Sequence, residues 1–313
     1  MPFTRPSLNA AARRGLLLAA HNPVAERVVS RWGMRLGARR FVAGTTLEEC
    51  LAVLAELNGL GLRANTTILG EGTADRASAE AVAAEYATVL QRIAAAGLEA
   101  NVSLKLTHLG LGLDPELAHR NVEQVARAGA AVGRLVRMDM EESWWVDATL
   151  DIYRRLRAAD LANVGVVLQA YLRRTPADLA QLLPLRPNLR LVKGAYLESP
   201  AVAHARKADV DQAYLQLMER ALREAGYTAI ATHDERLIEH AVAYTAERGI
   251  PRDRFEFQML YGVRPGLQRA LAGRGYRVLV ATPFGPQWYP YLMRRLAERP
   301  ANVGFFVRNL FHA

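Results

Sequence analysis

Short apolar runs alternate with longer amphipathic stretches along most of the chain. Eight runs of apolar and β-branched residues have the length of β-strands, and most are continuously apolar, as expected for strands covered on both faces. They lie at residues 64–69, 100–106, 134–140, 164–171, 189–196, 228–232, 255–260 and 276–281. Stretches with helical spacing of apolar positions lie between or after them, at residues 77–96, 115–128, 147–159, 201–225, 236–248 and 287–298. The pattern predicts an α/β fold, a (β/α)8 barrel of the TIM type.

The first 63 residues lack this alternation. They have mainly helical patterns, of which residues 47–57 form the clearest amphipathic segment, and they end in a glycine-containing turn at residues 58–61. We therefore predict an N-terminal helical segment (residues 1–63) and a barrel domain (residues 64–313), whose last helix lies over the mouth of the barrel. A doubly wound open sheet is the alternative fold. It would normally carry a Gly-x-Gly-x-x-Gly turn, which neither residues 70–72 nor residues 110–112 complete.

Polar residues collect at the ends of the predicted strands. In barrel enzymes, the working side chains project from the carboxyl ends of the strands and from the loops that follow. A charged side chain within an apolar strand is costly to bury unless it is paired or bound to a ligand. Internal ion pairs explain any single case equally well, but the repetition on most strands favours a shared polar pocket. The residues in question are Glu71, Lys105, Thr107, Asp139, Glu141, Gln169, Tyr171, Arg190, Lys193, Tyr196, Thr232, His233, Asp234, Gln258 and Tyr261.

Composition and charge narrow the class of protein. The chain has 313 residues, 51% of them hydrophobic, and no window approaches the roughly 20 apolar residues that span a bilayer. The net charge is +9, but only three of the 40 basic residues are lysines and the arginines are scattered among acids. This distribution argues against a nucleic-acid partner. A single cysteine, Cys50, excludes an internal disulfide framework, and we expect a cytoplasmic protein without a signal peptide.

The last predicted helix carries a second group of charges. Helical spacing places Glu298 three to four residues from Arg294 and Arg295, within reach of either side chain. The planar guanidinium of arginine suits a carboxylate, because it can bind both oxygens at once. An exposed helix face with an ordinary ion pair is the alternative interpretation. Over the pocket mouth, the two arginines would be an anchor for the carboxylate of an amino acid.

Seven stretches, six at strand ends and one on the last helix, resemble those of the proline dehydrogenase family, which includes the proline dehydrogenase domain of the bifunctional bacterial proline-utilisation proteins. The matching stretches run in family order from about residue 64 to 308. They are VSLKLT at 102–107, RMDME at 137–141, VLQAY at 167–171, RLVKGAY at 190–196, ATHD at 231–234, FEFQML at 255–260 and YLMRRL at 291–296. Most of them are weak signals individually, whereas seven in register are a strong one.

The resemblance implies FAD as the cofactor, held on the barrel without a Rossmann module, and no metal. By position, Arg190 would lie near flavin N5, and Gln169 and Lys193 would address the flavin and its ribityl chain. Further cofactor contacts would come from the residues Gly194, Ala195, Thr232 and His233.

The resemblance also implies a substrate site. Arg294 and Arg295 would bind the substrate carboxylate, and Lys105 and Asp139 would form a polar wall beneath the ring. Glu71 and Glu298 would act as gates that pair with the arginines when the last helix closes. Lys105 either accepts the amine proton, if its pKa is depressed, or stays protonated and holds Asp139. The residues expected to pack around the substrate ring are Leu191, Ala195 and Tyr196.

The implied reaction is oxidation of L-proline to Δ1-pyrroline-5-carboxylate by hydride transfer to FAD, with a membrane quinone as the electron acceptor. A basic surface would support peripheral association with the inner face of the membrane. Because the chain ends shortly after the barrel, we expect a separate pyrroline-5-carboxylate dehydrogenase to process the product.

One departure from the family pattern affects the substrate. Where the family commonly has a tyrosine near the end of strand 8, this chain has Ala281 in the sequence Ala-Thr-Pro, and Leu197 replaces a frequent aromatic residue. That tyrosine crowds the proline ring, so 4-hydroxyproline or mixed specificity is an alternative. Two more distant alternatives are another flavin barrel, such as a methylenetetrahydrofolate reductase, and a non-catalytic basic barrel.

Overall fold

The computed structural model describes residues 38–298, except for the side chains of residue 294 and residues 296–298. Eight parallel strands form a closed barrel in sequence order, as predicted. The first 37 residues of the predicted N-terminal segment and the last 15 of the predicted barrel domain lie outside the described residues. The strands are β1 (Arg63–Ile68), β2 (Ala100–Leu104), β3 (Val136–Met138), β4 (Val164–Gln169), β5 (Asn188–Val192), β6 (Tyr227–Ala231), β7 (Phe255–Leu260) and β8 (Val278–Phe284).

Helices follow the strands along the chain, and one precedes β1. They are α1 (Leu47–Gly59), α2 (Arg76–Ala95), α3 (Pro115–Ala131), α4 (Val146–Ala158), α5 (Thr175–Leu182), α6 (Lys207–Glu224), α7 (Glu235–Glu247), α8 (Pro265–Gly273) and α9 (Trp288–Glu298). The pattern analysis did not predict α5 and α8, which have only eight and nine residues and begin near a proline. The predicted helix at 201–225 is also wrong at its start, since α6 begins at Lys207.

Aspartates begin several of these helices. Asp75 accepts a hydrogen bond from the amide of Ser78, Asp114 from that of Glu116, and Asp234 from that of Arg236. Each carboxylate satisfies an amide that has no partner within the first turn of its helix. Short polar residues after a strand or turn therefore determine where α2, α3 and α7 start.

Several strands end earlier than the apolar runs suggested. β2 ends at Leu104, β3 at Met138 and β5 at Val192, so Lys105, Asp139 and Lys193 follow their strands instead of lying in them. After β2 the chain turns into a short 3-10 helix at Thr107–Leu109. The last strand was underestimated instead, because β8 continues past residue 281 to Phe284. Pro283 fits there because it uses only its carbonyl oxygen, which accepts a hydrogen bond from Ala43.

A buried arginine fills the barrel at the level of β3 to β5. Arg137 is 1% exposed and donates to the side-chain oxygen of Asn188 at 2.6 Å. Gly165, its partner in the β3–β4 ladder, leaves the space for it: a Cβ at that position would lie 3.0 Å from Arg137 Nη1. The glycine in β4 therefore serves the close approach of the arginine side chain.

The described residues belong to two compact units. The smaller unit includes residues 38–53, 68–70 and 282–298, and the larger one residues 54–67 and 71–281. Within the smaller unit, backbone hydrogen bonds join Leu69 to Phe284 and Gly285 to Gly44. The larger unit contains the carboxyl ends of strands β2 to β7 and the loops that follow them. The predicted boundary between residues 63 and 64, and the predicted position of α9 over the barrel mouth, stay predictions.

Candidate active site

Arg190 on β5 is a buried cation of the predicted site. It is 8% exposed and forms an ion pair with Asp139, which follows β3. Its Nη atoms also lie 3.4 Å from the hydroxyl of Ser103 on β2 and 3.3 Å from Oε1 of Gln258 on β7. Burial, together with the positive charge of Arg137, lowers the pKa of Arg190. The structure therefore joins two predicted site residues, Arg190 and Asp139.

Further polar side chains extend the cluster around Arg190. Asn65 on β1 donates to the hydroxyl of Ser103 at 2.7 Å, and Gln258 donates to Glu256 at 2.6 Å. Asn65, Ser103 and Glu256 were absent from the predicted site. Their signal in the sequence is a polar residue within an apolar strand, the same signal that identified Arg190. Asn65 and Ser103 were missed because uncharged residues in strands attract less attention than charged ones, whereas Glu256 carries the same signal as Arg190.

Lys105 pairs with Glu71, which follows β1, and does not hold Asp139 as one hypothesis expected. The reason is competition: Asp139 is engaged by the more deeply buried Arg190. Near this pair lies His108, which is 6% exposed. Burial, and secondarily the charge of Lys105, lowers the pKa of His108 to about 4, so the imidazole is neutral at pH 7. This part of the site therefore contains one cation and one carboxylate held together.

Glu141 links the ends of β2 and β3. Its carboxylate accepts hydrogen bonds from the amide of Thr107 at 3.0 Å and from the Thr107 hydroxyl at 2.5 Å. Burial raises the pKa of Glu141, and these hydrogen bonds oppose that effect. The predicted cofactor residue Gln169 is also buried, and it donates to the carbonyl oxygen of Glu141 at 2.8 Å. The carboxylate of Glu141 thus joins the segments that follow β2 and β3, and its backbone carbonyl oxygen orients the side-chain amide of Gln169.

Lys193, predicted to address the cofactor, lies between two carboxylates. Its Nζ is 2.5 Å from Asp211 on α6 and 3.2 Å from Asp234, the residue that caps α7. Although partial burial would raise it, hydrogen bonds from Arg236 and Lys193 lower the pKa of Asp234 to about 2. Asp211 was not predicted, because it lies far along the chain within an ordinary amphipathic helix.

Thr232 and His233 follow β6 directly, as predicted. The hydroxyl of Thr232 accepts a hydrogen bond from the amide of Asp234 at 3.1 Å. His233 Nε2 accepts one from the amide of Leu260 at the end of β7, at 2.9 Å. Because Nε2 is the acceptor, the neutral imidazole carries its proton on Nδ1. These hydrogen bonds hold both side chains at the ends of β6 and β7.

The loop after β5 packs its first residues against Tyr171. Gly194 has a φ of +113°, and a Cβ there would lie 2.1 Å from the Tyr171 ring. Tyr171 is 8% exposed, and burial raises the pKa of its hydroxyl. The other predicted residues differ in exposure: Ala195 is exposed, Tyr196 and Ala281 are partly exposed, and Leu191 is buried within β5.

Further along the same loop, Glu198 accepts hydrogen bonds from the amide and hydroxyl of Ser143, at 2.6 and 2.8 Å. The carboxylate thereby ties the loop after β5 to the segment after β3.

The arginines of α9 lie in the smaller compact unit. Arg295 places its Cζ 5.2 Å from the centroid of the Tyr291 ring on the same helix, a cation–π contact. The side chains of Arg294 and Glu298 lie outside the described residues, so the predicted ion pair between them stays a prediction.

Residues 38–298 lack two classes of feature. No helix in this range combines the length and apolar character that a membrane crossing requires. This part of the chain also contains no group of three or more His, Cys, Asp or Glu residues arranged to hold a metal ion.

Comparisons with known proteins cover most of the chain. The model of the family described as proline dehydrogenase matches residues 50–308. "Proline dehydrogenase 1" of Bacillus subtilis subsp. natto is 42% identical over 298 residues, which is 95% of this chain and 98% of that protein. "Proline dehydrogenase" of Deinococcus radiodurans is 40% identical over 304 residues, 95% of this chain and 97% of that protein.

A solved structure supports the fold. The crystal structure of proline utilization A (PutA) from Bdellovibrio bacteriovorus, inactivated by N-propargylglycine, matches 92% of this chain with a TM-score of 0.81 and 23% identity. This chain spans 36% of that longer protein. The matching family model, the identity to two relatives over nearly their whole length and the closed barrel agree, and the chain belongs to the proline dehydrogenase family.

Proposed function

We propose that this enzyme oxidises L-proline to Δ1-pyrroline-5-carboxylate with FAD as its cofactor. The family and the strand-end motifs support the reaction. The observation that carries the proposal is the buried guanidinium of Arg190, surrounded by polar groups from β2, β7 and the segment after β3. Burying a charge is costly even when it is paired, because both partners are removed from water, so a polar cluster of this kind at the strand ends is a candidate for a functional role.

The residues present fit a flavin. Arg190 Nε is buried without a hydrogen-bond partner among the described residues, so this guanidinium still has a donor to offer. A buried cation whose pKa is lowered gains from an electron-rich group beside it. Gln169, Lys193, Gly194, Ala195, Thr232 and His233 are the further residues that would hold the cofactor. The chemistry that FAD would supply when bound is that of a hydride acceptor, for the hydride on the carbon next to the proline nitrogen.

The protein's own residues orient the substrate and manage charge. Lys105, held by Glu71, acts electrostatically beside the substrate, together with Asp139. Leu191, Tyr196 and Ala281 are proposed to shape the space for the ring. The amine must be neutral so that its lone pair can assist departure of the hydride, and the first role of Lys105 in this step is electrostatic.

Arg294 and Arg295 are proposed to bind the substrate carboxylate, with Glu71 and Glu298 as gates. We expect Arg294→Met and Arg295→Met each to raise the proline KM roughly tenfold or more, because each removes charge-assisted hydrogen bonds. Steady-state kinetics test this. The control Arg274→Met removes an arginine that pairs with Glu239 on the surface, and its KM should stay at the wild-type value. An unchanged KM in both α9 variants would remove the carboxylate clamp from the proposal.

The second candidate substrate is 4-hydroxyproline. Ala281 on β8 is small and partly exposed, where the family commonly has a tyrosine that crowds the ring. This favours measurable turnover of trans-4-hydroxyproline beside proline.

One experiment separates the candidate functions: anaerobic bleaching of the bound flavin by proline, trans-4-hydroxyproline and NADH in parallel. Bleaching by proline supports the proposal, and bleaching by both imino acids supports mixed specificity. Bleaching by NADH alone would support a reductase of the methylenetetrahydrofolate type. A protein that fails to take up FAD would support a non-catalytic barrel.

The electrons and the product need partners outside this chain. We propose a membrane quinone as the acceptor, with peripheral association at the inner face of the membrane for an otherwise cytoplasmic protein. A separate pyrroline-5-carboxylate dehydrogenase would take up the product.

A further inference from the structure

The amide of Gln258 lies between two groups of opposite hydrogen-bonding character. Gln258 is 4% exposed on β7. Its Nε2 donates to Glu256 Oε1 at 2.6 Å, and its Oε1 accepts from Arg190 Nη1 at 3.3 Å. Glu256 is 5% exposed and lies two residues earlier on the same strand. The three side chains therefore form a continuous chain of hydrogen bonds inside the barrel.

The chemistry of the two neighbours determines how the amide points. A carboxylate only accepts hydrogen bonds and a guanidinium only donates them. The amide nitrogen of Gln258 must therefore face Glu256, and its oxygen must face Arg190. In the reverse orientation, the NH2 group of Gln258 would face the N–H groups of Arg190, and its oxygen would face the carboxylate of Glu256. Because these side chains are buried, water would not supply the missing hydrogen-bond partners.

We infer that Glu256 is a positioning residue for Arg190, acting through Gln258. The inference rests on the proposed function, in which Arg190 contacts the flavin. Without an acceptor at residue 256, the amide of Gln258 is free to rotate and to turn its NH2 group toward Arg190. The guanidinium of Arg190 then loses the oxygen of Gln258 as an acceptor, whereas its ion pair with Asp139 remains.

The charge of Glu256 fits this role. Burial lowers the pKa of Arg137 and of Arg190, and the carboxylate of Glu256 acts in the opposite direction on both. Arg137 has its own partner in Asn188, whereas Arg190 has Asp139 and the oxygen of Gln258. Glu256 is thus the acid within β7 that offsets two buried cations and also orients an amide.

Two substitutions separate the hydrogen bond from the charge. Glu256→Gln and Glu256→Met remove the same negative charge, but only glutamine retains an oxygen that accepts from Gln258. We expect the Kd for FAD, measured from the flavin released when the flavin-loaded protein is diluted, to rise about threefold in Glu256→Gln and about tenfold in Glu256→Met. In a Gln258→Met background, the two substitutions should have equal effects, because the residue that distinguishes them is gone.

The control is Glu239→Gln, which removes a surface carboxylate paired with Arg274 and should leave the Kd at the wild-type value. Equal Kd values in Glu256→Gln and Glu256→Met would overturn the inference, and where Glu256→Met does not fold, a wild-type Kd in Gln258→Met would overturn it. An undiminished difference between the two variants in the Gln258→Met background would also overturn it.

Failure of the proposed function is a separate result. If the wild-type protein takes up no FAD, the proposed function is wrong. Crystal structures of the flavin-free wild type and of Glu256→Met would then test the inference. We expect Gln258 to leave Arg190 in Glu256→Met, and an intact Arg190–Gln258 hydrogen bond in that variant would contradict the positioning role.

Discussion

The guanidinium of Arg190 contacts groups that come from three other parts of the barrel, and each of them contributes an acceptor. Asp139 supplies the charge, and Ser103 and Gln258 supply neutral oxygens. Removing one partner of a buried pair leaves the other charge uncompensated, which costs more than the pair contributes when intact. The stability of this cluster therefore depends most on the carboxylate of Asp139.

Asp139→Asn should lower the free energy of unfolding of the flavin-free protein by about 1–3 kcal/mol, because the buried Arg190 loses its counterion. Urea denaturation measures the change. Asp147→Asn is the matched control: Asp147 pairs with Arg174 but is 84% exposed, so its loss should stay within about 0.5 kcal/mol. Equal effects of the two substitutions would show that the Arg190 pair is as weak as a surface pair.

Gly194→Ala should destabilise the protein by about 2 kcal/mol or more. The residue has a left-handed φ, and the added Cβ would collide with the Tyr171 ring, so the loop after β5 must shift. Gly97→Ala isolates the backbone effect, because Gly97 also has a positive φ but open space around it, and we expect about 1 kcal/mol there. Urea denaturation of both variants tests the difference, and equal losses would contradict the packing role of Gly194.

Single side chains connect neighbouring elements at the strand ends. Asp234 caps α7 and also binds Lys193 from the loop after β5, while Asp211 brings α6 to the same lysine. Glu198 joins the loops after β5 and β3 in the same manner. The loops that follow the strands are therefore tied by carboxylates, which makes their arrangement dependent on pH.

Asp234→Asn should reveal this dependence. Because the pKa of Asp234 in the folded protein is lowered from 3.8 to about 2, the ionised form stabilises the fold. That contribution is fully present above pH 3.8 and is lost as the pH falls toward about 2. We expect the wild type to be more stable than the variant by about 1–2 kcal/mol at pH 6, and the difference to shrink below pH 3.8. Urea denaturation at several pH values tests this, and a difference independent of pH would contradict it.

At the scale of the whole molecule, the net charge of +9 is carried mostly by arginine. If the basic surface supports peripheral association, binding must be electrostatic and sensitive to salt, since surface charges are screened within about 10 Å at 0.1 M ionic strength. The net charge affects how the protein associates with other molecules and with membranes, and it does not determine the fold.

Sedimentation with lipid vesicles tests the proposed association. We expect binding to vesicles that contain an anionic phosphatidylglycerol fraction, little binding to pure phosphatidylcholine, and release from the anionic vesicles when salt rises from about 0.05 to 0.5 M. Equal binding to both kinds of vesicle would show that charge does not drive it.

The barrel was predictable from the chain because most of its eight strands are short, largely apolar and followed by a helix or a turn. The accuracy of this prediction was limited by the shortness of some elements. α5 and α8 are too short for a clear helical period, and β3 has only three residues of strand. Polar residues at the strand ends were also predictable, since Arg190, Lys193 and Asp139 interrupt or follow apolar runs.

The amino-acid sequence by itself determined the order of strands and helices, the family and the residue types at the carboxyl ends of the strands. These are local properties, read from the spacing of apolar positions and from short motifs. Only the tertiary structure decided the partners: Arg190 with Asp139 and Gln258, Lys105 with Glu71, and Lys193 with Asp211 and Asp234. Closure of the barrel brings together residues that are far apart along the chain, and burial then decides which cation holds which carboxylate.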